Sequence, residues 1–457
     1  VTTGHDPASG QPRADAIVVG GGIAGLVVAR DLGRAGRRVI LLEGSPRLGG
    51  EVARHTVAGI DLDAGAESFA TRDDTIQTLA TQLGLGNEVV APDPRGAWVV
   101  EADGHAFPLP KTGLLGIPGT AMAKDVIDVI GTGAALRAEV DSLLPGFVGA
   151  KEQKLGPLVR RRMGSAVLDR LVAPVVMGVH SAHPDVLDVD RVAPGLRGAL
   201  LQQNSLARAV RHLREMAPGG SAVGGIRGGM VRLVDELEAD LVTFGVDVRL
   251  ETQVRSYDET SVTLADGSRL GASAVVIALG ARDSARLDGT LGAQDPTTGL
   301  ITLATLVVDD HALDAGPRGT GVLIARTGSP DVVGIRAKAL THATIKWAWL
   351  AERTDGRHVL RLSYDSPVVD RSTSDAELAG IATEDASRIL GMPLAEASVE
   401  GFGRVEWDAP YRPPSGAAST SATGVIRVGG AIAGRGLSGV VKDARAKAAA
   451  LLDPGAA

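Results

Sequence analysis

The stretch Ala16-Ile17-Val18-Val19-Gly20-Gly21-Gly22-Ile23-Ala24-Gly25 decides the fold. Its first four residues are an apolar run that reads as a buried strand, and the glycines follow at once. A helical pattern runs from Leu26 to about Ala35, and Arg38-Val39-Ile40-Leu41-Leu42 is a second apolar run that ends on Glu43. Strand, glycine turn, helix, strand and acid are the dinucleotide-binding fingerprint in its required context. Gly20 permits the tight turn, Gly22 lets the backbone approach a pyrophosphate, and Gly25 lets the helix pack closely on the sheet. The pyrophosphate would rest on the unpaired N–H groups at the helix N-terminus. Glu43, 18 residues beyond Gly25, is placed to accept bonds from an adenosine ribose and would repel the 2′-phosphate of NADP. In a chain with 60 glycines the alternative is an ordinary glycine-rich turn. The agreement of strand, spacing and acid favours the dinucleotide, with NAD and FAD equally admissible on the turn alone.

At 457 residues the chain is too long for one typical core, so two or three domains are expected. Hydrophobic residues make up 44% and suffice for sizeable cores. Aromatic residues, at 3%, are too few for platforms that stack single-stranded nucleic acid. The net charge of −7 opposes nonspecific binding to a polyanion. The absence of cysteine removes disulfides, thiolate catalysis and iron–sulfur clusters and suits a cytoplasmic protein. Residues 1–13 lack the order of a signal peptide and read as a disordered tail. No apolar run approaches the roughly 20 residues that span a bilayer, so no transmembrane segment is expected and peripheral contact with a membrane stays open.

Arg47-Leu48-Gly49-Gly50 sets a basic residue beside a double glycine, which suits a loop around a cofactor phosphate. Residues 98–100 and 105–110 read as a hairpin, and residues 116–221 are mostly helical patterns broken by Gly and Pro. Lys154, Arg160, Arg161, Arg162 and Arg170 make the middle of that region basic, either as a solvated face or to attract an anion. Residues 246–250 and 252–254 read as a strand pair, 261–270 as a hairpin, 274–278 as a buried strand and 374–390 as a helix. Val425-Ile426-Arg427-Val428-Gly429-Gly430, followed by a helix over 436–452, repeats the opening device and offers a second set of N–H groups to an extended cofactor. His180 and His183 have no evident third ligand, so no metal site is expected.

Together these stretches resemble the flavin-dependent coproporphyrinogen and protoporphyrinogen oxidases of bacteria, within the amine-oxidase-like flavoprotein superfamily, over residues 14–452. The glycine turn and Arg47-Leu48-Gly49-Gly50 are shared across the superfamily. More specific are Gly65-Ala66-Glu67-Ser68-Phe69 with Thr71-Arg72, Phe107-Pro108-Leu109-Pro110, the segment from Val172 to His180, and Lys346-Trp347, which resembles a late strand of the family. Three positions depart from the family pattern. Arg72 is followed by Asp73 rather than lysine, Ala409-Pro410-Tyr411 replaces a proline–glutamine–tyrosine segment, and Gly436-Leu437-Ser438 replaces Gly-Ile-Pro.

The resemblance implies an α/β (α+β composite) fold: a Rossmann-type FAD-binding domain of discontinuous segments (14–70, 222–290 and 420–457), a mixed β-sheet substrate domain (71–115 and 291–419) and a helical insertion (116–221). It implies FAD held by Gly20, Gly22, Gly25, Glu43, Arg47, Gly49, Gly50, Gly65, Ala66, Glu67, Gly429, Gly430 and Val440, with a backbone contact from Val254 to adenine. The implied reaction is oxidation of coproporphyrinogen III to coproporphyrin III by molecular oxygen, with release of hydrogen peroxide, in heme biosynthesis. Arg72, Arg162 and Lys346 are candidates to meet substrate propionates, and Lys346 could instead hold a water near the flavin. The alternatives are protoporphyrinogen IX as substrate, another FAD oxidoreductase of the superfamily, and a non-catalytic flavin- or tetrapyrrole-binding protein. A transient ferrochelatase contact stays open.

Overall fold

The computed structural model describes residues 13–71, 73–101, 104–110, 113–180, 182–216, 223–289, 299–325, 334–408, 424–434 and 436–453, with backbone alone at 178–180 and 431. Its contacts divide the chain into two compact units, residues 1–91, 221–300 and 407–457, and residues 92–220 and 301–406. Sequence reading sets out three domains; here the helical region and the second sheet fall in one unit. The physical reason is a shared core: Val99 and Phe107 of the sheet pack with Ile117, Val126, Leu158 and Leu171 of the helical region.

The first unit is built on a seven-stranded sheet. Strand β1 (Ala14–Val19) is central and fully apolar on its buried positions, flanked by β2 (Val39–Leu42) and β6 (Arg269–Ile277), both parallel to it. Beyond β2 lies β3 (Asp247–Arg249), also parallel. The first half of β6 takes β5 (Ser261–Leu264) antiparallel, β5 takes β4 (Val254–Tyr257), and the end of β6 takes β7 (Ile426–Arg427) parallel. Helix α1 (Ile23–Arg34) joins β1 to β2 and buries ten of its twelve residues. It is apolar nearly all round because it packs against the sheet, α3 (Arg232–Thr243) and α4 (Leu437–Leu452) at once. The one buried cation on it, Arg30, is paired with Asp240 of α3 at 2.7 Å. Helix α2 (Thr75–Gln82) packs on α4.

Strand sorting here differs from the expectation for residues 246–254. The two runs do not pair with each other: one joins β2 and the other joins β5. Glu251, between them, has φ +51°, which redirects the chain.

The second unit carries another seven-stranded sheet in the order Val399–Asp408, Leu300–Val308, His358–Asp365, Ala339–His342, Gly321–Ile324, Ala97–Val100 and Ala106–Pro108. The strands Ala97–Val100 and Gly321–Ile324 run parallel, while Leu300–Val308, His358–Asp365, Ala339–His342 and Gly321–Ile324 form an antiparallel series. Helix Asp375–Leu390 covers one face, capped by Ser374, whose hydroxyl accepts the Glu377 N–H at 3.2 Å, and ended by Gly391 at φ +69°. The helical segments from Lys124 to Met216 close on the core named above. No helix among the described residues is long and apolar enough to cross a membrane.

Candidate cofactor site

Gly20 turns the chain out of β1 with φ +106°, and a Cβ there would lie 2.7 Å from Ala278 O. A methyl group on Gly25 would run into the carbonyl oxygen of Gly20. Both glycines are demanded by the chain's own packing. Gly22, the N-cap of α1, differs: its φ is −71°, and a Cβ would meet nothing within 4 Å. The first internal bond of α1 runs from Leu26 N–H to Gly22 O at 2.9 Å, so the N–H groups of residues 23–25 precede the ladder. No acidic residue stands in that first turn.

The second loop closes on the same place. Gly49 bridges Gly22 and donates its N–H to Gly21 O at 2.8 Å, at φ +100°. Gly50, exposed, has φ +60° and passes so near that an added Cβ would lie 3.3 Å from Gly22 Cα. The exposed Arg47 reaches Gly50 O with Nη1 at 3.0 Å. A narrow cradle of glycines, an uncapped helix N-terminus and a guanidinium fits the diphosphate bridge of a dinucleotide.

Glu43 accepts the N–H of Gly21 at 2.7 Å on Oε2 and of Ser45 at 2.8 Å on Oε1, which fixes its carboxylate at the end of β2. Each oxygen keeps a second lone pair for a ribose hydroxyl. The chain beyond β3 runs along Glu43, which donates its N–H to Arg249 O at 2.9 Å and takes that of Thr252 at 2.8 Å. Val254, half-buried, opens the edge strand β4 two residues later.

Three further elements of this unit carry the remaining candidates. Ala64 N–H donates to Ala53 O at 2.7 Å, and a Cβ on Gly65 would run into Glu51 O. Ala66 is exposed and Glu67 half-buried. At the far end of the chain Val428 N–H bonds Ile277 O at 3.0 Å, and Gly429 (φ +101°) comes within 3.4 Å of Ala24 Cβ as measured from its own added Cβ. Gly430 is exposed and begins a single turn, Gly430–Ala433. Helix α4 follows Gly436 at φ +120°, and the half-buried Val440 makes its N–H bond to Gly436 O at 3.2 Å.

The substrate candidates separate. Arg72 lies outside the described residues. Arg162 is a correction: it is fully buried, and its guanidinium is spent on Asp141 (2.5 Å) and on the carbonyl oxygens of Asp141, Pro145 and Asn204. It holds the helical region together and has nothing left for an anion. Lys346 stands at the end of one helical turn, Ala343–Lys346, where resemblance suggests a strand, with Nζ 5.2 Å from the centre of the Trp347 ring. Trp347 and Phe69 are buried. His183 is exposed, and its Nδ1 accepts Asp185 N–H at 3.2 Å, a loop contact. The side chain of His180 lies outside the description. No group of three or more His, Asp or Glu among the described residues could hold a metal.

Sequence reading misses Trp407 and the contact that Asp73 makes. Trp407 Nε1 donates to Ala64 O at 3.2 Å and its ring packs at Gly65, so it fixes the loop of residues 64–67. Asp73 accepts from the hydroxyl of Ser438, tying α2 to the start of α4. Burial opposes its charge, but bonds from Ser438 and Thr75 prevail and hold the carboxyl below its usual range. A list of family departures contains both partners of that bond, yet only folding shows that they meet.

Fold and cradle define a flavoprotein class: one unit with a parallel dinucleotide-binding sheet assembled from separated segments, and another with a second sheet and a helical region. The chain belongs to the flavin-containing amine oxidoreductase family, whose model matches residues 23–430, and is related to the coproporphyrinogen and protoporphyrinogen oxidases. It is 31% identical over 400 residues to the coproporphyrinogen III oxidase of Mycobacterium tuberculosis, covering 84% of each chain. It is 27% identical over 419 residues to that of Propionibacterium freudenreichii, covering 82% of this chain and 77% of the relative. A crystal structure from Exiguobacterium sp. 255-15 matches the fold with a TM-score of 0.79 at 23% identity, covering 98% of this chain and 99% of that one.

Proposed function

We propose that the chain binds FAD and oxidises coproporphyrinogen III to coproporphyrin III with molecular oxygen. The observation that supports a bound dinucleotide is the Gly22 cradle, whose space is required by nothing in the chain itself, and membership of the flavin-containing family supports FAD as that dinucleotide. The likeness to coproporphyrinogen III oxidases over most of the chain supports the substrate. Gly22, Gly49 and Gly50 would take the diphosphate, Glu43 the adenosine ribose, and Val254 the adenine through its backbone. Residues 65–67 and the glycines 429 and 430 would hold the flavin half. FAD, when bound, would supply the two-electron chemistry of each round: the tetrapyrrole loses a hydride, which carries both electrons, and a proton, and the same two electrons and two protons convert one oxygen molecule to hydrogen peroxide. Three such rounds remove six hydrogens and reduce three oxygen molecules to hydrogen peroxide. The protein's own part is to orient the ring and to balance its carboxylates. In this reading Arg72 meets a propionate, and Lys346 meets another or holds a water.

The test gives coproporphyrinogen III and protoporphyrinogen IX, prepared without oxygen, to the FAD-loaded protein and then admits air. Porphyrin fluorescence should rise far faster than in the blank, fastest with coproporphyrinogen III. A rate equal to the blank with both would refute the proposal.

One observation favours a second reading, a related FAD oxidoreductase with another substrate. Asp73, whose carboxylate is bonded to Ser438, follows Arg72 in the sequence, at the position where the family resemblance leads one to expect a second cation. A carboxylate there repels a propionate. Replacing Asp73→Lys should lower the KM for coproporphyrinogen III if that substrate is native but imperfectly held. If the native substrate carries no anion on this side, the replacement should leave coproporphyrinogen inert.

A further inference from the structure

The strands Ala339–His342 and His358–Asp365 pair antiparallel, with His342 opposite Leu360. At His342 the chain leaves the sheet and makes the single turn Ala343–Lys346. One turn cannot hold itself, so its placement depends on ties from outside. Lys346 O accepts the N–H of Asp93 at 3.0 Å, and Thr344 Oγ1 accepts that of Val359 at 3.2 Å. A third tie is a buried chain of rings. His342 Nε2 lies 3.0 Å from His358 Nδ1, and His358 Nε2 lies 3.0 Å from Asp314 Oδ1. His342 is fully buried and His358 nearly so, while Asp314 is exposed.

The protons can be placed from the partners. Asp314, its carboxyl held below the usual range by bonds from His358 and His311, can only accept. His358 therefore carries its proton on Nε2 and accepts through Nδ1, and His342 donates from Nε2. His342 Nδ1 is then a bare acceptor, buried and with no partner among the described residues. Thr344, His358 and Asp314 follow the order of a nucleophile, a base and an acid. Thr344 is only 4% exposed, however, and stands 3.4 Å from His358 with its oxygen already engaged by Val359. This is a fastening and not a reaction centre.

We infer that Asp314, His358 and His342 form a clasp that sets the turn carrying Lys346, which makes His358 a positioning residue for the oxidase reaction. The functional half of this inference rests on the role proposed for Lys346. The clasp joins the start of one strand to the end of its neighbour, and the lysine lies four residues beyond His342.

The experiment uses full-length, FAD-loaded protein with His358→Ala, His358→Gln, Lys346→Met and the double variant His358→Ala/Lys346→Met. Amide hydrogen exchange is followed over residues 342–347, with the strand Leu300–Val308 as internal reference. Chemically reduced FAD is reoxidised by oxygen, so no substrate is needed. His358→Ala should speed exchange over 342–347 alone, and it should slow reoxidation about tenfold, as expected for a displaced group near the reacting atoms. Lys346→Met should slow reoxidation as much, the double variant no more, and His358→Gln, which keeps a donor and an acceptor, should restore most of the rate. Unchanged exchange in both His358 variants overturns the clasp. Losses that multiply in the double variant overturn its action through Lys346. Faster exchange with a silent Lys346→Met upholds the clasp and overturns the lysine's role alone.

Discussion

Gly22 and Gly25 lie three residues apart, and only one of them is explained by the chain. A methyl group at Gly25 collides with backbone, whereas one at Gly22 enters open space. Gly25→Ala should therefore destabilise the protein by several kcal/mol even without cofactor, seen as a lower Tm. Gly22→Ala should leave the Tm of the cofactor-free protein unchanged while weakening FAD at least about tenfold, or about 1.4 kcal/mol, in a titration. Arg162 belongs to the other category. Truncation to Ala strands a buried Asp141 and should cost about 3–5 kcal/mol in denaturant unfolding, while the fraction still folded keeps its KM. The glycine spacing was legible because the fingerprint is local. The fate of Arg162 was not, because its partners come from residues 141, 145 and 204, and a basic run looks the same on a solvated face.

At the scale of elements, periodicity found α1, the helix Asp375–Leu390, and the hairpin of Ala97–Val100 with Ala106–Pro108. It misassigned what depends on distant partners. Residues 247–249 pair with β2 rather than with their neighbours in sequence, and residues 343–346 form a turn tied by backbone N–H groups of Val359 and Asp93, distant in sequence. The histidine pair that holds this turn also gives a pH prediction. Burial first, and then the proximity of the His358 ring and the Arg95 guanidinium, which would oppose a positive charge on His342, push it down from 6.5 to about 3. The unfolded chain therefore binds a proton here that the folded one does not. The stability tied to a neutral His342 is complete above about 6.5 and is lost as pH falls from there toward 3. The slope is up to about 1.4 kcal/mol per pH unit. The exposed Asp314, also lowered, adds loss in the same direction at lower pH. Urea unfolding at a series of pH values should show that slope in the parent and a shallower one in His342→Gln.

For the whole molecule, the discontinuous first unit could be read from the sequence because the strand–glycine device occurs at both ends of the chain. Its partition into two units and not three could not, because the core that joins sheet to helices is drawn from residues more than two hundred positions apart, such as Val99 and Ala325. Family membership and the cradle agree on a flavoprotein, and the central claim is that this flavin takes electrons from a porphyrinogen. The most direct measurement mixes the FAD-loaded protein with coproporphyrinogen III in the absence of oxygen and follows the visible absorption of the oxidised flavin. The account predicts rapid bleaching, matched by the appearance of oxidised tetrapyrrole and reversed when air is admitted. A flavin that keeps its colour with this substrate, yet bleaches with dithionite, would contradict it.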